Sequence, residues 1–445
     1  MNAEKSRRNS FSGGIGLFVL SILSPGAFAE PAMEYDEDTE ECSTIIAVGT
    51  ATVDGKTRTG HNGDSFVWKT GIGPTRVLTI TINEKSRIKS IAGLNSCGVA
   101  REGNGRSYLP GMVGSAKTFT DRNEAYIVEY GFLRKDHPEA KDIGGGALGT
   151  AHTAKEAVDL CVKGLPGGSY HITGPLRNQA LGHANAYLAP ELLPMQISAG
   201  FSRERAKRVH ELLQKRDPLP NEEETTGWGK ISTLYLFRVL RTHDTPWGFD
   251  SSWVYPSDGT GNICRWSYRG MSRIGEVKEI SSGHPDLLSI YWTTPTFPAF
   301  GPFLPFFIGL AEIPPTFAEG VANESDVFRE LFNAIAYKMS YADDVQRFWE
   351  SFELQTVSEV QLLEVDVAGL VDKGNVRVKG LLDGRDRKAV EKVLYNFSNA
   401  KCELAVSYAK QLLAIIIAGR PITEIKVNTS LPNRPSWENV RQQHK

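Results

Sequence analysis

The chain has 445 residues and 40% hydrophobic content, enough for one large domain or two ordinary ones. Its charged fraction of 23% carries both signs, which excludes a disordered chain. The formal net charge is −2 and no basic stripe is visible, which excludes a nucleic-acid binder.

Residues 1–29 read as an export signal. Lys5, Arg7 and Arg8 form a positive start, Ile15 to Leu23 is a short apolar core, and Ala27-Phe28-Ala29 is an A-x-A cleavage site. The apolar run is too short to span a bilayer. Ser6-Arg7-Arg8-Asn9-Ser10-Phe11 has the outline of a twin-arginine signal, with loose spacing to Phe11. Residues 30–41 differ in character: seven of the twelve are acidic, and few are apolar. They read as a solvated pro-segment or, alternatively, a mature tail.

Cys42 opens a β-branched run, Ser43-Thr44-Ile45-Ile46-Ala47-Val48. The turn signal Asp54-Gly55 follows, then the polar cluster His61-Asn62-Gly63-Asp64. This pattern predicts a hairpin that returns Asp64 toward Cys42. Strands are expected at Phe66–Trp68, Val77–Ile82, Ile91–Asn95, Cys97–Ala100 and Glu124–Tyr130, with Glu102-Gly103-Asn104-Gly105 as a glycine-rich loop. Thr153 with Glu156 has capping-box spacing for a helix to Val162, which Gly164 ends. A strand is expected at His183–Leu188, and a helix capped by Ser202 runs through Lys215. Ser251–Tyr255 opens a further strand group that runs past Tyr291-Trp292. The Pro/Phe-rich Pro302–Phe307 reads as wall or core. From Asp326 the chain is mostly helical, with one long helix over Asp386–Ala418. No linker divides 42–445, so it reads as one catalytic domain of layers packed on two sheets.

The five cysteines, Cys42, Cys97, Cys161, Cys264 and Cys402, form no Cys-x-x-Cys pair, so no zinc or redox motif is read. Their number is odd. In an exported protein four could pair; the alternative is buried thiols.

If processing removes Glu41, Cys42 carries both a thiol nucleophile and a free α-amine. The amine's ordinary pKa near 7.7–8.0 lets it take the thiol proton near neutral pH. Nucleophile and base are then covalently linked, so little entropy is lost in bringing them together. Asp64 is the candidate for orienting the amine. Attack on an amide also needs oxyanion donors, for which Asn104 and Asn185 are the candidates. His61 and Asn62 are candidates for substrate contact, and Ser252, at the head of its strand, is a further lining residue.

These residues resemble the N-terminal-nucleophile hydrolases of the linear-amide group. Members often begin Cys-Thr-Thr-Ile and continue through Asp-Gly to Arg-Asn-x-Asp or Gln-Asn-x-Asp. They include choloylglycine hydrolases, penicillin V acylases, acyl-CoA:6-aminopenicillanic acid acyltransferases and bacterial cysteine dipeptidases. Gly93-Leu94-Asn95-Ser96-Cys97-Gly98-Val99-Ala100 is similar to the family's Gly-x-Asn-x-x-Gly-Val segment. His183-Ala184-Asn185-Ala186-Tyr187-Leu188 and Ser202-Arg203-Glu204-Arg205 are similar to acyltransferase segments. Residues 121–129 and Phe303-Leu304-Pro305-Phe306 look more like the dipeptidases.

The resemblance implies an α+β fold: a four-layer αββα sandwich of two antiparallel sheets between helical layers, here with extra C-terminal helices. It implies self-cleavage between Glu41 and Cys42, nucleophilic Cys42, amine-orienting Asp64, and oxyanion donors Asn104 and Asn185. The expected activity is hydrolysis of a linear amide, in a dipeptide or N-acyl substrate, through an acyl-thioester. The alternatives are acyl transfer to an amine, or a secreted binding protein with the same fold. No metal or organic cofactor is implied. The expected partner is a small amide or dipeptide, with no nucleic acid and no stable membrane insertion once the signal is removed; homo-oligomerisation is left open. The expected location is periplasmic or extracellular. His61 stands where many members have arginine or glutamine, Ser43 replaces a threonine, and Ala186 replaces a second histidine. An imidazole at 61 makes contact there pH-dependent.

Overall fold

The computed structural model describes residues 42–63, 80–83, 88–91, 93–105, 112–137, 148–184, 187–192, 200–214, 231–242, 263–264, 266–267, 270–272, 274–310, 312–317, 326–373 and 384–427. The expected signal 1–29, the acidic segment through Glu41, Asp64, Asn185, Ser252 and the strands expected at Phe66–Trp68 and Ser251–Tyr255 lie outside the described residues.

The run after Cys42 forms β1 (Ser43–Ala47), and Thr57–Gly63 returns as β2, antiparallel with Ser43 opposite Asn62 and Thr44 opposite His61. The link between them, Val48–Lys56, is longer than a two-residue hairpin loop and holds a 3-10 turn at Gly49–Ala51. Gly55 supplies the left-handed φ of +74° that the Asp54-Gly55 bend needs. Asp54 closes this bend by accepting the Lys56 N–H at 3.2 Å and gripping Arg58 with two bonds of 2.7 Å.

The chain continues through β3 (Ile80–Asn83), β4 (Ile88–Ile91), β5 (Leu94–Asn95) and β6 (Ala100–Gly105). Then come β7 (Met112–Thr120) and β8 (Ala125–Leu133). The expected loop at residues 102–105 is therefore a strand. β6 pairs with β7 over its full length, and a Cβ on Gly103 would stand 3.3 Å from Lys117 Nζ. Glycine here gives way to a neighbouring side chain rather than making a turn.

Helix α1 (Ala154–Val162) starts where the capping box predicted, with the Thr153 hydroxyl accepting the Glu156 N–H. β9 (Tyr170–Leu176) and β10 (Ala180–His183) follow, so the strand expected at His183–Leu188 ends where it was to begin. Helix α2 (Gly200–Gln214) begins two residues ahead of Ser202, which lies inside it rather than capping it. Helix α3 (Thr233–Leu240), β11 (Trp266–Ser267), β12 (Gly270–Met271), β13 (Ile274–Ile280), β14 (Ile290–Thr293) and β15 (Leu304–Phe307) come next. The end is helical: α4 (Asp326–Tyr337), α5 (Ala342–Lys373) and α6 (Gly384–Ala418).

The fold is α+β, with two antiparallel sheets. The first has the order β10-β1-β2-β13-β14-β15, the second β3-β4-β5-β6-β7-β8-β9, and β11-β12 form a small ribbon. The sheets meet face to face along β6: Thr44 of β1 bonds Asn104, and Thr59 of β2 and Lys278 of β13 bond Glu102. On the far side of the second sheet, Ala157, Val158 and Cys161 of α1 pack with Phe119, Tyr126 and Val128. On the far side of the first, Ile45, Ala47 and Val277 pack with Leu236, Phe237, Leu240 and the C-terminal helices. Each fully buried valine, leucine, isoleucine or phenylalanine here contributes about 1.5–3 kcal/mol. Gly182 allows α2 to lie close on β10, since a Cβ there would stand 2.0 Å from Val209 Cγ1. The Phe297–Phe307 stretch is core, with Phe297, Phe300, Phe303, Phe306 and Phe307 all buried. Among the described residues no helix is long and apolar enough to cross a membrane. All five cysteines are thiols, so the expected alternative of disulfides is not realised.

Candidate active site

β1 is an inner strand of its sheet, held by β10 on one side and β2 on the other. Cys42 directly precedes it and is 5% exposed. Strand alternation gives Thr44 and Ile46 one face and Ile45 and Ala47 the other. Thr44 uses its face to reach across to the second sheet, where its hydroxyl donates to Asn104 Oδ1 at 2.5 Å.

Asn104 is fully buried on β6. Its Nδ2 lies 3.5 Å from the Cys42 carbonyl oxygen and 3.5 Å from His183 Nδ1. Its backbone carbonyl accepts the Ser115 hydroxyl at 2.9 Å. His183, also fully buried, has Nε2 at 2.9 Å from the Thr118 hydroxyl. Both contacts of the Asn104 amide nitrogen are at the outer limit of hydrogen bonding. Its hydrogens are therefore held in direction yet open to a stronger acceptor beside Cys42.

His61 lies directly across the ladder from Thr44. Its Nδ1 is 3.8 Å from Glu276 Oε2 and 3.9 Å from Glu102 Oε2, and neither ring nitrogen has a hydrogen-bond partner among the described residues. The Lys278 ammonium donates to both Glu102 oxygens at 2.7 Å and to Glu276 at 2.9 Å. It also stands 5.2 Å from the Tyr291 ring. Burial opposes the charge on Lys278, but the Glu102 and Glu276 carboxylates outweigh it and hold the pKa above the ordinary lysine value. Burial would raise Glu276, but Lys278 and then His61 bring its pKa below the ordinary carboxylate value. Burial and the adjacent Glu276 charge push Tyr291 well above its ordinary range.

Among the described residues, His61, Glu102 and Glu276 are the group whose donor atoms lie close enough to share a cation, within 4.8 Å of one another. Lys278 already supplies a cation to the two carboxylates. The cluster is therefore a closed ionic network, and a metal would have to displace a lysine that the site holds protonated.

Asn62 points the other way. Its Nδ2 donates to the carbonyls of Leu240 at 2.7 Å and Ile263 at 3.1 Å, tying β2 to the end of α3. The structure thus brings Cys42, Asn104 and His61 to the space between the sheets and turns Asn62 toward the helices. Sequence reading did not single out Thr44, Thr118, Glu102, Glu276 or Lys278, and it gave His183 no role of its own. The alternation Thr57-x-Thr59-x-His61 and the pair Glu276-x-Lys278 were the available signal, because period two puts each set on one face.

A scan against protein-family models and a search of curated proteins return no match to this chain.

Proposed function

We propose that the chain is an exported, self-processing cysteine amidohydrolase of the N-terminal-nucleophile type, acting on a small linear amide such as a dipeptide or N-acyl compound. The observation that carries the reading is the Asn104 amide nitrogen, 3.5 Å from the backbone of Cys42 at the head of an inner strand. The layering supports it too: α1 lies outside the second sheet and the other helices outside the first, as a four-layer αββα sandwich requires. Release of Glu41 frees the Cys42 amine. That amine takes the thiol proton, and sulfur bonds to the substrate carbonyl carbon. Asn104, with Asn185, stabilises the oxyanion, and Asp64 orients the amine. The C–N bond then breaks, the leaving amine takes the proton, and water resolves the thioester to acid and free thiol.

Intact-mass measurement of the purified protein tests this. The expected mature N-terminus is Cys42, lost in Cys42→Ala together with turnover of a panel of dipeptides, N-acyl amino acids, bile-acid conjugates and penicillin V. An active wild-type chain that begins at Glu30 sinks the mechanism. Product formed only when an acceptor amine is added assigns acyl transfer instead. A Cys42 inert to thiol probes assigns a binding protein.

A further inference from the structure

The chain Thr118–His183–Asn104–Cys42 crosses from one sheet to the other and has one consistent assignment of hydrogens. The Cys42 carbonyl oxygen can only accept, so the Asn104 atom 3.5 Å from it must be the nitrogen. This agrees with Asn104 Oδ1 accepting the Thr44 hydroxyl at 2.5 Å. The same Asn104 nitrogen faces His183 Nδ1 at 3.5 Å, so Nδ1 must be bare. The proton of a neutral imidazole then lies on Nε2, which donates to the Thr118 hydroxyl at 2.9 Å. The opposite tautomer would set two donors against each other at Asn104.

We propose that His183 is a positioning residue. As its Nε2–H tautomer, which the Asn104 nitrogen facing Nδ1 selects and the Thr118 hydroxyl accommodates, it aims the Asn104 amide nitrogen at Cys42. The inference rests on the amidohydrolase reading, in which that nitrogen meets the oxyanion. Imidazole serves because it spans two partners on different strands, accepting at one edge and donating at the other.

The test uses the full processed protein with whichever panel substrate it turns over. In His183→Asn the side-chain oxygen falls where Nδ1 was and keeps the acceptor facing Asn104. In His183→Gln the amide nitrogen falls where Nε2 was, keeping the bond to Thr118 but losing that acceptor. His183→Asn should hold kcat within about threefold of wild type. His183→Gln should lower kcat roughly 10- to 100-fold with KM little changed, less than the 10²–10³ that removal of an oxyanion donor costs. A purely space-filling role predicts the reverse order, since glutamine is closer to histidine in volume. Equal losses in both variants, or full activity in His183→Gln, overturn the inference while leaving the amidohydrolase reading standing. A wild-type protein with no turnover and an unreactive Cys42 overturns both. If a variant fails to fold, histidine ¹⁵N NMR of the wild type reads the tautomer directly: Nε2–H is expected, and Nδ1–H overturns the inference.

Discussion

On β1, β2 and β13, Ile45, Gly60 and Val277 face the helices, whereas Thr44, His61 and Lys278 face the second sheet. Both faces are buried, so burial does not distinguish them. What differs is which polar groups are left unfilled: on the helical side Asn62 Oδ1 and Trp292 Nε1 have no hydrogen-bond partner among the described residues. On the helical side Arg241 is 1% exposed and its donors are well used. It holds Glu353 through two bonds of 2.5 and 2.6 Å and donates to the carbonyls of Pro298 and Gly301. Between the sheets, among the described residues, both nitrogens of His61 have no hydrogen-bond partner. Most buried polar atoms in a folded protein are satisfied, so each unfilled one needs a reason. The inter-sheet face is set apart by a whole imidazole, opposite Thr44, with both nitrogens unfilled, which keeps hydrogen-bonding capacity for something that enters.

The sharpest break of this comparison is Arg241→Met. It strands Glu353 in the core and should cost about 3–5 kcal/mol in urea unfolding, while activity per folded molecule stays unchanged. Lys278→Met leaves Glu102 and Glu276 buried beside each other without their ammonium and should cost a similar amount, about 3–5 kcal/mol. It should also impair turnover, and Lys278→Met/Glu102→Gln should recover part of the stability. If Lys278→Met leaves activity intact, the inter-sheet cluster is structural after all.

The smallest effect is a pH slope at the far end of the helical face, where Lys56 bonds Glu279 at 2.6 Å and Glu364 at 2.7 Å. Burial and then the Glu279 charge push Glu364 up to about 7, against the pull of Lys56. Burial opposes the charge on Glu279, but Arg58 and Lys56 hold its pKa at about 2. Glu364 binds its proton more tightly in the folded state. Its contribution is complete below the ordinary value of 4.5 and is lost as pH rises through about 7. Glu279 acts in the opposite sense: its contribution is present above 4.5 and is lost as pH falls through about 2. Above pH 4.5 Glu364 therefore contributes a falling slope, in the same sense as the buried Glu353 carboxyl, which burial also raises, and stability should fall as pH rises toward 7. Glu364→Gln should flatten it; an unchanged slope would place the titration elsewhere.

Local chemistry was legible in the sequence. The Asp54-Gly55 bend, the Thr153–Glu156 box and the long terminal helix each depend on residues a few positions apart. The Gly103-Asn104-Gly105 strand was not legible, because its reason lies in β7, in the side chain of Lys117. The inter-sheet cluster was hidden for the same cause. Glu102, His61 and Lys278 come from three strands far apart in sequence, and each reads by itself as an ordinary polar residue. Cys42 and Asn104 could be named because the proposed chemistry demands a nucleophile and a donor. Thr44, which bonds Asn104, and Thr118, which bonds His183, are demanded only by the geometry around those two.

The order of the first sheet has a temporal consequence. β1 pairs early in sequence with β2, but its other neighbour is β10, and β2 is completed by β13. Contacts of such separation form slowly, after the local hairpin. Cys42 can therefore exist beside β2 well before His183 arrives to aim Asn104. Any reaction that depends on this arrangement stays silent in the nascent hairpin and begins only when distant strands have docked. Should the chain cut itself, the appearance of the new terminus would time the completion of its folding.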